Sequence, residues 1–158
     1  MGQSVVMYFS NTGTTQAIAE QIAVTTGSKL IGVHAKEDYT PADLDWEDPA
    51  SRSYHEMHAG KVRPAIEAID PAPIAAADVI YLGFPLWWAT VPREINTLLD
   101  SLDLTGKAVH PFCTSGSTPI AEAVERLRAN YPHIDWHTGR RFATSLTADE
   151  IRDWAAED

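Results

Sequence analysis

Short apolar runs alternate with amphipathic stretches along most of the chain. Residues 5–9 form a continuous apolar run, which is typical of a strand that is covered on both faces in a parallel sheet. The further strand candidates cover residues 29–33, 79–82 and 108–113, with a weaker one near 134–136. Pro111 would remove one hydrogen-bond donor from the fourth candidate, residues 108–113.

The stretches between these runs carry the periodicity or the end signals of helices. Residues 14–25 and 92–102 have apolar positions at the offsets of one helical face. Thr118 followed by Pro119 predicts the N-cap and the first position of a third helix. Thr147, with a glutamate three residues later, has the spacing of a capping box and predicts a last helix.

Regular alternation of strand and helix predicts a doubly wound α/β domain, because parallel strands need crossover helices on the faces of the sheet. We expect one domain over residues 1–158. The segment 36–64 interrupts the rhythm with seven acidic residues, four basic residues and three prolines. Short helices within it are possible, but it does not have the character of a separate domain.

A polar loop directly follows the first predicted strand and opens the first predicted helix. Backbone N–H groups at a helix N-terminus donate to anions, Gly13 permits a tight turn, and the hydroxyl groups add donors without adding a cation. The pattern is neither a Walker loop nor a three-glycine dinucleotide fingerprint. The alternative is that these residues only cap the helix. The predicted phosphate-binding residues are Ser10, Asn11, Thr12, Gly13, Thr14 and Thr15.

Two other loops follow the third and fourth predicted strands. The first of them carries two adjacent tryptophans, on which a fused aromatic ligand would stack, although at least one tryptophan is expected to pack into the core. The second is a small polar turn that would hold the other end of a planar ring. The predicted ring-binding residues are Pro85, Leu86, Trp87, Trp88 and Ala89 in the first loop, and Thr114, Ser115 and Gly116 in the second.

Composition narrows the possible functions. The 158 residues include 22 acidic and 12 basic ones, for a net charge of -10, which argues against nucleic acid as a partner. No run is long enough to span a membrane and no signal peptide is evident, so a cytoplasmic location is expected. Cys113 is the single cysteine and is expected to be a small buried residue. We nominate neither a metal site nor a catalytic acid or base.

Ser10, Thr12, Gly13 and Thr15 match the fixed positions of the flavodoxin phosphate loop, and the order of elements from residue 4 to about 128 resembles a short-chain flavodoxin. The resemblance implies a three-layer sandwich with a five-stranded parallel sheet in the order 2-1-3-4-5. It also implies FMN as cofactor, with its phosphate at residues 10–15 and its ring between residues 85–89 and 114–116. Electron transfer is then the expected function.

One departure leaves the function open. Many flavodoxins place a tyrosine in the third loop, where this chain has Thr114, Ser115 and Gly116, so one flavin face is expected to be more open. The stretch 84–92 is also similar to the flavin loop of NAD(P)H:quinone oxidoreductases. The partners would be a redox protein in the first case, or NAD(P)H and a small acceptor in the second. A third alternative is a phospho-ligand-binding module on the same fold without redox activity.

Overall fold

The computed structural model describes residues 3–11, 13–58, 62–88, 90–115, 118–142 and 146–156. Six strands form one parallel sheet: β1 (Ser4–Phe9), β2 (Lys29–Val33), β3 (Val79–Pro85), β4 (Ala108–Thr114), β5 (Asp135–Trp136) and β6 (Arg140–Phe142). Six helices accompany them: α1 (Thr14–Thr26), α2 (Arg52–His58), α3 (Ala72–Ala76), α4 (Arg93–Ser101), α5 (Ala121–Asn130) and α6 (Ala148–Ala155).

The sheet has the order β2-β1-β3-β4-β5, with β6 also paired with β4. This order confirms the doubly wound arrangement expected from the sequence. Each inner strand aligns in parallel with its neighbours, so that Tyr8 lies opposite Gly32 on one side and Gly83 on the other. The carboxyl ends of β1, β3 and β4 therefore meet at one edge, where an open parallel sheet binds ligands.

Both faces of the sheet are buried, as the apolar runs require. One hydrophobic cluster includes Met7, Leu82 and Leu98, and the other includes Val6, Ile18 and Trp154. Adjacent residues of β1 contribute to opposite clusters because side chains alternate between the two faces of a strand. Within the described residues, no helix combines the length and apolar character that crossing a bilayer requires.

The fifth position of the sheet is divided between two short strands, whereas the sequence predicted one strand near residues 134–136. β5 pairs with Ala108 and Val109, and β6 pairs with β4 from Phe112 onward. The interruption lies opposite Pro111, which has no N–H group for the ladder. Gly139 lies between the two strands. A Cβ atom at this position would be only 2.9 Å from a side-chain atom of Val124, so a larger residue would not fit without a shift.

The predicted start of the third helix is wrong by two residues. α5 begins at Ala121, and its N-cap is Ile120 rather than Thr118. The Ser115 hydroxyl donates to the Thr118 carbonyl oxygen at 2.7 Å, shortly before the helix begins. The capping box of α6 is confirmed, because the Glu150 N–H donates to the Thr147 hydroxyl at 3.2 Å.

Candidate functional site

The loop between β1 and α1 has the geometry of an anion-binding turn. Gly13 adopts φ 92°, a conformation that L side chains rarely take, and forms the N-cap of α1. Its N–H donates to the Ser10 hydroxyl at 3.1 Å. Gly13 and Thr14 are exposed at the helix N-terminus, whereas Thr15 is buried. Thr12 lies outside the described residues.

Asn11 has an amide whose two polar atoms are buried without hydrogen-bond partners in the described part of the chain. Buried polar atoms are nearly always paired, because an unpaired one costs about 1 to 3 kcal/mol. An amide offers both a donor and an acceptor, so a ligand with hydroxyl or phosphate oxygens would satisfy it. This orphaned amide is the strongest local sign that the loop binds something.

The three predicted loops are joined through Thr114, the last residue of β4. Its hydroxyl is hydrogen-bonded to the Thr15 hydroxyl at 2.8 Å in a buried position. Its carbonyl oxygen accepts from the Leu86 N–H at 3.1 Å. One residue thus ties the helix that follows the first loop to the loops after β3 and β4. The structure brings the three loops together, while Gly116 lies outside the described residues.

The loop after β3 closes through a tight pair of backbone hydrogen bonds. The N–H of Trp87 donates to the Thr90 carbonyl at 3.0 Å, and the N–H of Thr90 donates back at 3.1 Å. Trp88 lies within this turn at φ 50°, and Ala89 is outside the described residues. Pro85, at the end of β3, pairs in register with Thr114 of β4. This places the beginning of the aromatic loop directly beside the third loop.

The two tryptophans are both half-buried and have different neighbours. The Trp87 ring packs edge-on against Tyr39 at 5.5 Å and against Phe9 at 6.1 Å. The Trp88 ring meets Tyr54 at 5.7 Å and His58 at 5.1 Å, also edge-on. Neither tryptophan is fully in the core, although Trp87 packs against it. Both indoles are therefore supported from behind by the segment between β2 and β3.

A cleft of about 860 Å³ opens between the second and third loops. This is within the range of small-molecule and cofactor sites. Four lining residues belong to the predicted set, namely Leu86, Trp87, Trp88 and Ser115. Four others were missed: Leu44, Trp46, Ser53 and Thr118.

Trp46 is the most informative of the missed residues. It is 63% exposed, although it is a large apolar side chain. In the sequence it stands between Asp45 and Glu47, and a tryptophan within an acidic stretch was a signal that it serves a surface function. Ser53 also lines the cleft, and its hydroxyl is buried without a partner in the described part of the chain. The segment 36–64 therefore supplies one wall of the cleft.

Two groups near the third loop have stabilising roles. Burial raises the pKa of the Cys113 thiol to about 12, a shift that the charge of Arg141 opposes. Cys113 is fully buried, which confirms the expectation of a small core residue. The Arg141 guanidinium donates to the Ser115 carbonyl oxygen at 3.2 Å and so holds the backbone of the third loop.

Comparison with known proteins places this site in context. The family model described as flavodoxin matches residues 3–158. A provisionally named flavoprotein from Bacteroides eggerthii is 39% identical, with a TM-score of 0.94, over 98% of this chain and 96% of that one. A similarly named protein from Bacteroides uniformis is 41% identical, with a TM-score of 0.92, over 99% of both chains.

A more distant structure shares the fold. A flavoprotein from Lactobacillus acidophilus, solved in complex with FMN, is 23% identical over 98% of this chain and 99% of that one, with a TM-score of 0.75. No curated protein matches the chain.

Proposed function

We propose, from the premise that this chain belongs to the flavodoxin family and takes FMN as its cofactor, that the protein transfers electrons between redox partners. Bound FMN supplies the redox chemistry, and the protein supplies its position and its surroundings. The observation that carries the proposal is the joining of an anion-binding turn, an aromatic loop and a polar loop through Thr114. These three surfaces suit a ligand with a phosphate at one end and a ring system at the other.

The residues present fit FMN at both ends. The phosphate would be held by backbone N–H groups at the start of α1 and by the hydroxyls of Ser10, Thr14 and Thr15. The loop pattern in the sequence also assigns the hydroxyl of Thr12, which lies outside the described residues. The orphaned amide of Asn11 is suited to the hydroxyl groups of the ribityl chain. The flavin ring would lie in the aromatic cleft beside Trp87 and Trp88.

Electron transfer is favoured over proton-coupled chemistry by the nature of the cleft wall. The described lining consists of indole rings, aliphatic side chains and hydroxyl groups. Such groups hold a ring and exclude water, but they do not exchange protons near neutral pH. A carrier needs only a well-held flavin that a partner can approach. The exposed side chain of Trp46 at the cleft is a contact point for such a partner.

A second candidate function is direct NAD(P)H:quinone oxidoreductase activity. It is favoured by the volume of the cleft, about 860 Å³, and by the small side chain of Ser115, which lines the cleft. Both features leave space for a substrate ring beside the flavin. A non-redox phospho-ligand-binding module is the remaining alternative, and it predicts a colourless protein that takes up no FMN.

The test begins with the visible spectrum of the protein after incubation with FMN and removal of excess ligand. A colourless protein would remove both redox functions. For the loaded protein, anaerobic bleaching is followed after addition of NADPH, with and without a flavodoxin reductase. Bleaching only in the presence of the reductase supports electron transfer. Rapid bleaching by NADPH alone contradicts it and supports the reductase function.

We propose a cytoplasmic location for the protein. Its partner would be a redox protein with a basic docking surface. Asp45, Glu47 and Asp48 are exposed around Trp46, next to the cleft. Opposite charges steer such encounters and lose strength as salt is added. The rate of electron transfer from a reductase should therefore fall as ionic strength rises. An unchanged rate across the salt series would argue against docking at this acidic surface.

A further inference from the structure

A buried cluster of Tyr39, Glu56 and Glu94 lies behind the aromatic loop. The Tyr39 hydroxyl lies within hydrogen-bonding distance of a carboxyl oxygen of Glu56 and of a carboxyl oxygen of Glu94. Glu94 is completely buried and Glu56 is 6% exposed. Two carboxyl groups are thus held together away from water, although burying an unpaired negative charge is costly.

The cluster contains one proton in addition to the Tyr39 hydroxyl proton, so its two glutamates are not both ionised. A tyrosine hydroxyl has a single hydrogen, so it donates to only one of its two carboxyl neighbours. Its contact with the other requires that this carboxyl be the donor. Two ionised carboxylates would leave one pair of oxygens facing each other with no hydrogen between them.

The proton belongs to Glu94. The Glu94 oxygen that is not bonded to Tyr39, Oε1, has no hydrogen-bond partner in the described part of the chain. The other oxygen, Oε2, is 3.8 Å from the Arg52 guanidinium, which is a long contact. Glu56 instead accepts a hydrogen bond from Arg52 Nε at 3.1 Å, as an ionised carboxylate would. Burial raises the pKa of Glu94. The chain of donation runs from Glu94 to Tyr39 to Glu56.

The other charged side chains near the cluster, among the described residues, include two arginines, a lysine, an aspartate and a further glutamate: Arg52, Arg93, Lys36, Asp38 and Glu37. Arg52 lies with its guanidinium carbon 3.8 Å above the Tyr39 ring, so this cation faces both the ring and Glu56. Arg93, beside Glu94 on α4, directs its guanidinium to the carbonyl oxygens of Glu56 and Met57. Lys36 and Glu37 border the outer side, in a cavity that Arg52 and Glu56 also line.

The cluster connects the two walls of the cleft. Glu94 belongs to α4, which follows the aromatic loop, whereas Glu56 belongs to α2, which also carries Ser53 and Tyr54. Tyr39 bridges the two carboxyls and packs edge-on against Trp87. Removing the shared proton would leave two carboxylates on either side of Tyr39, and their repulsion would separate α2 from α4.

We propose that Tyr39, Glu56 and Glu94 are positioning residues that hold the aromatic loop in its FMN-binding form through one proton kept on Glu94. The proposal rests on FMN binding and is independent of whether the protein is an electron carrier or a reductase. It implies that FMN affinity depends on the protonation of a group that does not touch the cofactor.

The experiment compares wild-type protein, Glu94→Gln and a matched control, Glu125→Gln, whose side chain is exposed on α5. Glutamine keeps a donor toward Tyr39 but cannot ionise. FMN affinity, measured by quenching of flavin fluorescence, should weaken at least about tenfold for wild type and the control as the pH is raised from neutral, because burial raises the pKa of Glu94. Glu94→Gln should bind with a nearly constant affinity. Superimposable profiles for all three proteins would overturn the proposal.

A second measurement needs neither a variant nor FMN. In the free protein labelled with ¹³C at glutamate carboxyl carbons, one resonance should keep the shift of a protonated carboxyl at pH 7, when the other glutamates are ionised. Complete ionisation of every glutamate by pH 6 would overturn the proposal, even if Glu94→Gln fails to fold. An absence of FMN binding together with the protonated resonance would refute the cofactor assignment and the positioning role, but would leave the proton on Glu94 established.

Discussion

The phosphate end and the ring end of the candidate site are built in different ways. At the phosphate end, the turn closes on itself, because the Gly13 N–H bonds to Ser10 only three residues away. At the ring end, Trp87 and Trp88 are supported by Tyr39 and Tyr54, which come from a different part of the chain. The turn is closed locally and has one tertiary link, the bond between Thr15 and Thr114, whereas the support of the two tryptophans comes from residues distant in sequence.

The same contrast applies to charge. The phosphate loop has no lysine or arginine between residues 4 and 21, so backbone dipoles and hydroxyls would balance the anion. The ring end has no charge in its described lining, but it rests on the buried carboxyl pair of Glu56 and Glu94. A protein with a net charge of -10 can therefore accept a phosphate at one end, since distant surface carboxylates are screened at physiological salt.

The largest predicted effect comes from a glycine substitution in β3, the strand that leads to the ring end, compared with one in the phosphate turn. In Gly83→Ala, the new methyl group would overlap the ring of Phe112, a fully buried side chain, so we expect a loss of about 3 kcal/mol or more of unfolding free energy. In Gly13→Ala, nothing lies within 4 Å of the added carbon, and only the positive φ costs about 1 to 2 kcal/mol. Urea unfolding of both variants checks the order, and equal losses would contradict it.

A ligand comparison isolates the phosphate end. Replacing Thr12 and Thr15 together by alanine should weaken FMN binding by about 2 kcal/mol or more, since each lost hydrogen bond to a charged acceptor is worth about 1 to 3 kcal/mol. Riboflavin, which lacks the phosphate, should lose less affinity for the variant than FMN does. Fluorescence titrations with the two flavins measure this. If both affinities fell equally, the loop would not be the phosphate site.

Acid should lower the free energy of unfolding through His110 in β4, the strand whose last residue contacts the loops at both ends. Burial, together with the charge of His137, lowers the pKa of His110 in β4 to about 4, while Asp135 opposes that shift. The unfolded chain binds this proton below about pH 6.5, so stability falls between pH 6.5 and pH 4, by about 1 to 3 kcal/mol in total. Thermal unfolding of His110→Phe should show a smaller loss over this range. The exposed His133→Gln is the control and should follow the wild type.

The smallest expected effect is at the ring end. Trp88→Ala should weaken FMN and riboflavin binding equally, by about 1 kcal/mol, because stacking on an indole acts on the ring that both ligands share. The same titrations measure the two affinities. An effect confined to FMN would mean that Trp88 senses the phosphate, and the separation between the two ends would fail.

The positions of the three loops could be predicted because they depend on strands with clear patterns. β1 and β3 are apolar runs followed at once by polar or aromatic residues, so Ser10 and Trp87 fall where parallel strands deliver ligand-binding loops. Pro111 indicated a weak point in β4, and the partner strand is interrupted opposite that residue. The exact start of α5 could not be predicted, because Thr118 and Pro119 have the types of an N-cap and a first helical residue, yet the N-cap is Ile120.

The second wall of the cleft could not be predicted. Leu44, Trp46 and Ser53 lie in a segment without hydrophobic periodicity, so no face or register could be predicted for them. Tyr39 and Glu94 are separated by 55 positions, and only the folded chain places their side chains together. Contacts of this kind depend on the packing of α2 against α4, which no local pattern encodes.

Trp88 also carries a cost that is independent of any ligand. At φ 50° it occupies a backbone region that bulky residues rarely enter, and such a conformation costs about 1 to 3 kcal/mol in every folded molecule. A glycine at this position would relieve the cost and make the protein more stable. The indole at this position therefore lowers stability while it supplies aromatic surface to the cleft.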